Sequence, residues 1–362
     1  MTSVKPQRHR EATTGVTMKT KLRTIVPALL LGLSSSAVFA NITLEERTIP
    51  SPTGVSSEFA ALLEDRSIPP LLPVPSTNDE WIALQAQFDI PGIEISKQAA
   101  QRLEVEYESQ NFAGVDTFFV TPKRVAAEYE DKWLVHIHGG AFVFGGGESA
   151  LREAIWVANG LGAKVISIDY RQPPLHPFPA AIDDAVAVWK ELTKTQSPES
   201  TAIFGTSAGG NLTLATTLKL QEMGLPTPGA LFVGTPAVDL KETSDSWYTL
   251  KGLDPLGQRE GVIQGAFNLY ANGKPLDNPL VSPIYAEIES FPPTVFISGT
   301  RDLLLSDTVR MHRLLRSADV ESELHIYDGQ SHGDYTNGLI IDMPESKDAL
   351  KELGAFFDKH IN

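Results

Sequence analysis

Gly205-Thr206-Ser207-Ala208-Gly209-Gly210 lies between an apolar, β-branched run and a long helix-like segment. This context predicts a tight strand-to-helix turn with Ser207 at its apex. A serine in such a turn has a strained backbone, so the residues two before it and two after it must lack bulk, and Gly205 and Gly209 meet that need. We interpret Ser207 as a nucleophile for acyl transfer.

A second strand-to-loop junction lies upstream, where the strand pattern Trp133–His138 leads into Gly139-Gly140-Ala141-Phe142. Acyl transfer develops negative charge on the carbonyl oxygen, and backbone N–H groups stabilise it where no Cβ blocks the approach. We expect the N–H groups of Gly139, Gly140 and Ala208 to form this oxyanion hole. His138, next to the glycines, is expected to brace the loop by hydrogen bonding.

Two apolar runs downstream, Thr294–Gly299 and Glu323–Tyr327, predict strands that are followed by Asp302 and His332. His332 would take the proton from Ser207 and later give it to the leaving alcohol, while Asp302 would orient the imidazole. The chain order of serine, aspartate and histidine is that of the α/β-hydrolase fold. Each residue follows the carboxyl end of a predicted strand, where parallel sheets place their sites.

Three other aspartates are rival candidates for the acid. Asp307 is expected to be the N-cap of a helix that continues through Val309–Leu315. Asp328 and Asp334 flank His332 so closely in sequence that the loop would have to fold back for either of them to orient it. We expect both to be solvated or to line the pocket.

The alternation of predicted strands and helices favours an α/β fold, with a mostly parallel sheet that helices cover on both sides. The segments that alternate are Lys164–Tyr170 and Ala180–Thr193, Thr201–Thr206 and Ala208–Met223, Thr294–Gly299 and Ser306–Ser317, and a last helix that contains Ala349 and Phe357. The sequence contains no internal repeat and no metal-ligand cluster.

Four blocks of the sequence match a known family. They are His138–Phe142, Asp169–Arg171 with its continuation His176–Asp184, Gly205–Asn211, and the pair Asp302 and His332. In these blocks the chain resembles the bacterial hormone-sensitive-lipase-like esterases of the α/β-hydrolase superfamily, from about residue 103 to its C-terminus. The resemblance implies hydrolysis of carboxylic esters with short to medium acyl chains, and no cofactor. Thr206 stands where many members have an acidic residue, which indicates the GTSAGG subgroup.

The chain departs from the family pattern at four places. Ala141 replaces a third glycine, Gln172–Leu175 replaces a commoner Leu-Ala-Pro-Glu sequence, Leu303 follows the acid, and Asp334 stands where an aromatic residue is usual. None of these changes removes a proposed catalytic group. We expect them to affect the choice of substrate more than the reaction.

The resemblance also implies how the chain is divided. Residues 41–102 would form an N-terminal cap segment, and residues 103–362 a catalytic domain with a second cap insertion at 239–282. The aromatic side chains of the insertion, such as Trp247 and Tyr248, either pack in the core or wall the substrate pocket.

The N-terminal cap segment shows three helical patterns. One spans Ser56–Glu64, a second spans Trp81–Phe88 after the capping sequence Thr77–Glu80, and a third spans Ile95–Arg102.

Residues 1–40 have the pattern of a signal peptide. Basic residues precede the apolar run Ile25–Leu33, and small residues lead to a predicted cleavage site after Ala40. Met18 would begin a signal of conventional length, so residues 1–17 are interpreted as an over-called start. The alternative is a membrane anchor, but the apolar run is too short to span a bilayer. We therefore expect export to the periplasm or the medium.

Charge and composition limit the partners. The chain of 362 residues has a formal net charge of −15, and removal of residues 1–40 leaves 24 basic against 44 acidic residues. Acidity on this scale disfavours nucleic acid, anionic membranes and anionic substrates, so a neutral small-molecule ester is expected. The absence of cysteine excludes disulfides and a lipid-anchored N-terminal cysteine. We expect no stable membrane insertion and leave a homodimer open.

Other functions fit parts of the same pattern. A lactone or amide hydrolase would use the same three residues. A non-catalytic ligand-binding protein on this fold, like the hormone receptors that have lost the catalytic histidine, would not need His332. A dehydratase or lyase would keep the oxyanion glycines without a covalent serine. A serine esterase accounts for all of these residues together, and the sequence does not separate it from a lactone or amide hydrolase with the same triad.

Overall fold

The computed structural model describes residues 48–241 and 243–361. The helices and strands of these residues belong to one compact unit, Pro50–Asn362. The predicted signal peptide and its cleavage site lie outside the described residues, as do the first residues of the predicted N-terminal cap segment. Within the described ranges, no helix has both the length and the apolar character needed to cross a membrane.

The strands form one sheet of eight in the order β1-β2-β4-β3-β5-β6-β7-β8. Strands β3 to β8 run parallel to one another, while β2 pairs antiparallel with both β4 and β1. The strands are Val105–Phe112 (β1), Val115–Pro122 (β2), Trp133–Ile137 (β3), Lys164–Ile168 (β4), Ala202–Thr206 (β5), Ala230–Gly234 (β6), Thr294–Gly299 (β7) and Ser322–Tyr327 (β8). This is the mostly parallel sheet of the α/β-hydrolase fold that the sequence predicted.

Helices pack on both faces of the sheet, because successive side chains of each buried strand enter two different apolar clusters. Val135 of β3 belongs to one cluster with α4, α5 and α8, and Leu134 belongs to the other with α3 and α9. The α-helices of the described residues are Ser57–Glu64 (α1), Asn78–Leu103 (α2), Leu151–Leu161 (α3), Ala180–Leu192 (α4), Ala208–Glu222 (α5), Ser246–Thr249 (α6), Val262–Ala271 (α7), Leu305–Ser317 (α8) and Pro344–His360 (α9).

Helix α2 corrects one prediction, since it runs unbroken through the segment where the sequence indicated two helices. Thr77 and Glu80 form the expected capping box at its start, and Pro91 lies inside the helix. A proline inside a helix costs about 3 kcal/mol. Two contacts on the N-terminal side of Pro91, both with the loop after β3, offset this cost: Gln85 donates to the carbonyl of Val143, and Asp89 accepts from the N–H of Gly145.

The hairpin of β1 and β2 was not predicted from the sequence. Its turn is Ala113-Gly114, with φ of 60° and 83°. Five of the eight β1 residues are exposed and only Val105 is buried, because this strand lies at the sheet edge and most of its side chains face solvent. The hydrophobic alternation that identifies a strand is therefore weak in β1.

The turn between β5 and α5 packs directly under the end of β3. A Cβ on Gly205 would lie 2.2 Å from the carbonyl oxygen of Ile137, and a Cβ on Gly209 would lie 2.0 Å from the same atom. Only glycine fits at both positions. Between them Ser207 adopts φ 64° and ψ −121°, a conformation that non-glycine residues rarely adopt.

Gly209→Ala is expected to lower the free energy of unfolding by roughly 3 kcal/mol, because the new methyl group meets a backbone atom that cannot move without shifting β3. Urea denaturation followed by circular dichroism measures the change. Gly54→Ala is the matched control, since a Cβ there meets nothing within 4 Å. Equal stability of the two variants would contradict the close packing of this turn.

Candidate active site

A cavity of about 860 Å³ opens at the carboxyl ends of the central strands. Ser207 and His332 both line it, together with Gly139 and Gly140 of the loop after β3. The loops that carry these residues follow β5, β8 and β3. The sequence-predicted residues from distant parts of the chain therefore converge on one cavity, as expected for the carboxyl edge of a parallel sheet.

Backbone hydrogen bonds hold Ser207 in its strained conformation. Its N–H donates to the carbonyl of Gly234 at 2.8 Å, and its carbonyl accepts from the N–H groups of Asn211 and Ala237 at 3.1 and 3.2 Å. Among the described residues, no hydrogen bond joins the Ser207 hydroxyl to His332. The two side chains share the cavity wall.

Asp302 and His332 are in direct contact. The Nδ1 atom of His332 lies 3.1 Å from Oδ1 of Asp302, which is fully buried after β7. Two further donors hold the carboxylate: the hydroxyl of Ser298 donates to Oδ2 at 2.6 Å, and the N–H of Leu304 donates to Oδ1 at 2.9 Å. The carboxylate is thus fixed before any proton moves. Asp302 can orient the imidazole and stabilise its charged form.

Opposing effects set the pKa of His332. Burial lowers this pKa, but the hydrogen bond to Asp302 and the negative charges of Asp302, Asp254 and Asp334 outweigh the burial. The pKa of His332 therefore lies above its ordinary value of 6.5. Only a neutral imidazole can accept a proton from a serine. Because the pKa is raised, His332 becomes protonated, and stops acting as a base, at a pH above 6.5 as the pH falls.

Two anchored carbonyl groups orient the peptides of the loop after β3. Nδ1 of His138 lies 2.7 Å from the Gly139 carbonyl oxygen, and the Tyr170 hydroxyl donates to the His138 carbonyl at 3.1 Å. Because a trans peptide points its N–H away from its C=O, these bonds fix the directions of the N–H groups of Gly140 and Gly139. The described hydrogen bonds use neither of these N–H groups as a donor.

His138 is a structural part of this loop. Its ring stacks on Tyr170 with a centroid distance of 4.0 Å, and burial lowers the pKa of His138 to about 3. The ring is therefore neutral near pH 7. Since a carbonyl oxygen can only accept, Nδ1 carries the proton. The hydrogen bond predicted for His138 is present.

Ala208 supplies the third predicted N–H. It is the first residue of α5 and is fully buried. The N–H groups in the first turn of a helix have no acceptor within the helix, so this donor faces outward from the helix start. A Cβ on Gly139 would lie 3.3 Å from Cβ of Ser207, so the glycine loop and the serine turn are in contact.

A buried acid that the sequence did not indicate lies beside the serine turn. Glu153 of α3 accepts a hydrogen bond from the Thr206 hydroxyl and lies 3.1 Å from Nε2 of His136. Thr206 is also 2.6 Å from the hydroxyl of Tyr335. The residue next to Ser207 is thus hydrogen-bonded to a carboxylate of α3. Nothing in the local pattern of α3 distinguishes Glu153 from a solvent-facing glutamate.

The rival aspartates have other partners. The prediction that Asp307 caps α8 is wrong, because the helix begins two residues earlier and Asp307 is buried. It accepts from the N–H of Asp239 and from the hydroxyl of Ser244, and burial raises the pKa of Asp307 to about 7. Its tertiary role as an anchor of the segment after β6 is not visible in local sequence.

Asp328 and Asp334 behave as predicted, with one addition. Asp328 is exposed, while Asp334 lines the cavity and forms a two-oxygen ion pair with Arg66 at 2.8 and 2.9 Å. Arg66 also donates to the Ser331 hydroxyl at 2.6 Å. The segment after α1 therefore holds the loop that carries His332.

Two parts of the chain outside the central sheet contribute apolar side chains to the cavity wall. Phe88 and Pro91 of α2 contribute on one side, and Trp247, Leu256 and Ile263 contribute from the segment after β6. Trp247 is also buried in the core, whereas Tyr248 is 61% exposed. Of the two aromatic residues named from the sequence, only Trp247 walls the cavity. Among the described residues, no group of three or more His, Asp or Glu side chains could hold a metal ion.

Comparison with known proteins identifies the class. A family model described as the alpha/beta hydrolase fold matches residues 134–336. An esterase of Acinetobacter venetianus is 30% identical over 226 residues, which cover 62% of this chain and 73% of that protein. An acetyl-hydrolase of Streptomyces hygroscopicus is 27% identical, over 64% of this chain and 76% of that protein. The chain belongs to the α/β-hydrolase family.

Solved structures define the group within the family. The crystal structure of the esterase E25 superposes with a TM-score of 0.86 at 42% identity, over 89% of this chain and 99% of that chain. An esterase of the bacterial hormone-sensitive lipase family superposes with a TM-score of 0.66 at 27% identity, over 75% of this chain and 99% of that chain. The chain is a hormone-sensitive-lipase-like esterase, an enzyme that hydrolyses carboxylic esters.

The raised pKa of His332 predicts the acid limb of the pH profile. As the pH falls through the pKa of His332, the imidazole becomes protonated and can no longer accept the serine proton. We expect kcat/KM to fall by about tenfold per pH unit below a midpoint that lies above pH 6.5. Measurement of kcat/KM from pH 5 to 9 tests this, and a flat profile down to pH 5 would exclude His332 as the base.

Proposed function

We propose that this carboxylesterase works through an acyl-enzyme intermediate on Ser207, with His332 as the base and Asp302 as the acid. The N–H groups of Gly139, Gly140 and Ala208 would form the oxyanion hole. The observation that carries the proposal is the contact of Asp302 with His332 at 3.1 Å beside a cavity that also holds Ser207 on its strained turn.

The first half of the reaction forms the acyl-enzyme. His332 Nε2 takes the proton of the Ser207 hydroxyl while Oγ bonds to the ester carbonyl carbon, and the carbonyl oxygen becomes an oxyanion. The two loop peptides anchored by His138 and Tyr170 present their N–H groups without reorganisation, which lowers the cost of stabilising that charge. The imidazolium then gives its proton to the alcohol oxygen as the carbon–oxygen bond breaks.

The second half of the reaction releases the acid. His332 removes a proton from a water molecule, the resulting hydroxide adds to the acyl carbon, and a second oxyanion forms in the same hole. Collapse of this intermediate breaks the bond to Ser207 Oγ, which recovers its proton from His332. Asp302 stabilises the imidazolium in both halves.

The proposed substrates are neutral esters, with the short to medium acyl chains that the family resemblance implies. The apolar walls of the cavity include Phe88, Trp247 and Ile263, which favour an uncharged acyl or alcohol group. Its charged lining residues are the acids Asp89, Glu153, Glu260 and Asp334 against the base Arg152. An anionic substrate would meet more negative than positive charge. The acetyl-hydrolase and esterase relatives favour esters over the lactone or amide alternatives.

Hydrolysis of a p-nitrophenyl ester series from acetate to laurate tests the reaction. We expect the rate to peak at short chains, and we expect Ser207→Ala to reduce kcat by at least about 10⁴-fold because the covalent step is lost. Ser109→Ala, an exposed change in β1, should keep the full rate. Turnover that survives in Ser207→Ala would contradict the role of Ser207 as the nucleophile. A folded wild type without turnover on any chain length would contradict the proposal that these esters are substrates.

We also propose that the enzyme is exported after cleavage at Ala40, supported by the basic, apolar and small-residue order of residues 19–40. Mass spectrometry of the protein produced in a bacterium should find Asn41 as the first residue. Ala40→Arg should block processing, because the signal peptidase needs a small residue there. A wild-type chain that keeps Met1 or Met18 would contradict export by this route. A homodimer remains a prediction.

A further inference from the structure

A second carboxylate lies against the catalytic pair. Asp254 belongs to the segment between α6 and α7 and is fully buried. Its Oδ2 accepts the N–H of Leu303 at 2.8 Å and the N–H of His332 at 3.2 Å, while Oδ1 accepts the N–H of Leu256 at 2.8 Å. No sequence pattern around Asp254 indicates this role.

The two N–H groups that donate to Oδ2 belong to the loops that carry Asp302 and His332. Leu303 directly follows Asp302, and the other donor is the backbone of His332 itself. One oxygen atom of Asp254 therefore links the loop after β7 to the loop after β8. It binds the first loop directly after Asp302 and the second loop at His332. A direct backbone bond, from Arg301 N–H to the Gln330 carbonyl at 2.9 Å, joins the same two loops further from the cavity.

We infer that Asp254 is a positioning residue for His332, fixing its backbone against Asp302 and adding a second negative charge beside the imidazole. This inference rests on the proposed role of His332 as the base. It goes beyond the three-residue mechanism, because it makes a side chain of the inserted segment part of what orients the base. Leu256, whose N–H also binds Asp254, lines the cavity, so the same short segment contacts both the substrate space and the base.

The charges around His332 allow the effect of Asp254 to be measured. The groups that raise the pKa of His332 are Asp302, Asp254 and Asp334, and Asp334 is already paired with Arg66. Burial raises the pKa of Asp254 to about 6, His332 opposes this shift, and Asp302 adds to it. Asp254 is therefore mostly ionised above pH 7. Removal of its charge should make His332 less basic.

Asparagine cannot replace Asp254 without loss. Three N–H groups converge on its two oxygens, and both oxygens accept. An asparagine must turn its NH₂ group toward Leu256 or toward Leu303 and His332, so at least one donor faces another donor. Asp254→Ser is the second variant, because its hydroxyl can accept and it brings no amide donor.

The test is the pKa of the His332 imidazole, read by NMR titration of ¹⁵N-histidine-labelled protein and assigned by the signal that His332→Gln loses. In Asp254→Asn we expect this pKa to be about one pH unit lower than in the wild type. The acid limb of kcat/KM should move by the same amount, and kcat/KM at pH 8 should fall by about 100-fold as the base is misplaced. Asp254→Ser should show the same shift and decides the question if Asp254→Asn does not fold.

Asp307→Asn is the matched control. This substitution makes the same chemical change in another fully buried carboxylate that holds the inserted segment. Asp307, however, contacts Asp239 and Ser244 rather than His332. We expect the substitution to leave the pKa of His332 unchanged. An unchanged pKa in the Asp254 variants, or an equal shift in Asp307→Asn, would overturn the inference. Because the titration needs no substrate, failure of the proposed esterase reaction would be seen separately, as absent turnover in the wild type.

Discussion

The contact between the Ile137 carbonyl and the two glycines of the serine turn is the constraint on which the rest of the site depends. With no side chain at Gly205 or Gly209, β3 and the start of α5 approach to backbone distance. The same approach brings Gly139 against Ser207, since the glycine loop begins two residues after Ile137. The serine turn and the loop that presents its N–H groups are thus one packed unit, and neither could shift without the other.

Local sequence was sufficient to predict the positions at which the fold or the site needs a particular backbone conformation. The glycines around Ser207, the glycine pair after β3 and the apolar runs of the parallel strands are short-range patterns, and the central strands lie within two residues of their predicted bounds. Asp302 and His332 could be named because a parallel sheet puts the ends of its strands at one edge. The three-dimensional contact between them follows from topology rather than from their spacing.

The incorrect and the missing predictions concern residues whose structural role depends on tertiary contacts rather than on local sequence. The sequence predicts two separate helices on either side of Pro91, yet α2 is continuous and contacts the loop after β3 through Gln85 and Asp89. Asp307 reads as a cap, yet it is an anchor for the segment after β6. Glu153 and Asp254 carry no local signal, since an acidic residue gains its meaning only from the distant groups that surround it when buried. A single sequence does not show those groups.

The ion pair of Arg66 with Asp334 has a consequence for how the enzyme comes into being. Arg66 is made early in synthesis, whereas Ser331, His332 and Asp334 emerge only near the end, followed by the last helix. A ribosome-bound chain that has already produced Ser207 still lacks His332, the proposed base. Arg66 and Asp334 are 268 positions apart in sequence, so the loop that carries His332 gains this support only after most of the described residues have been made.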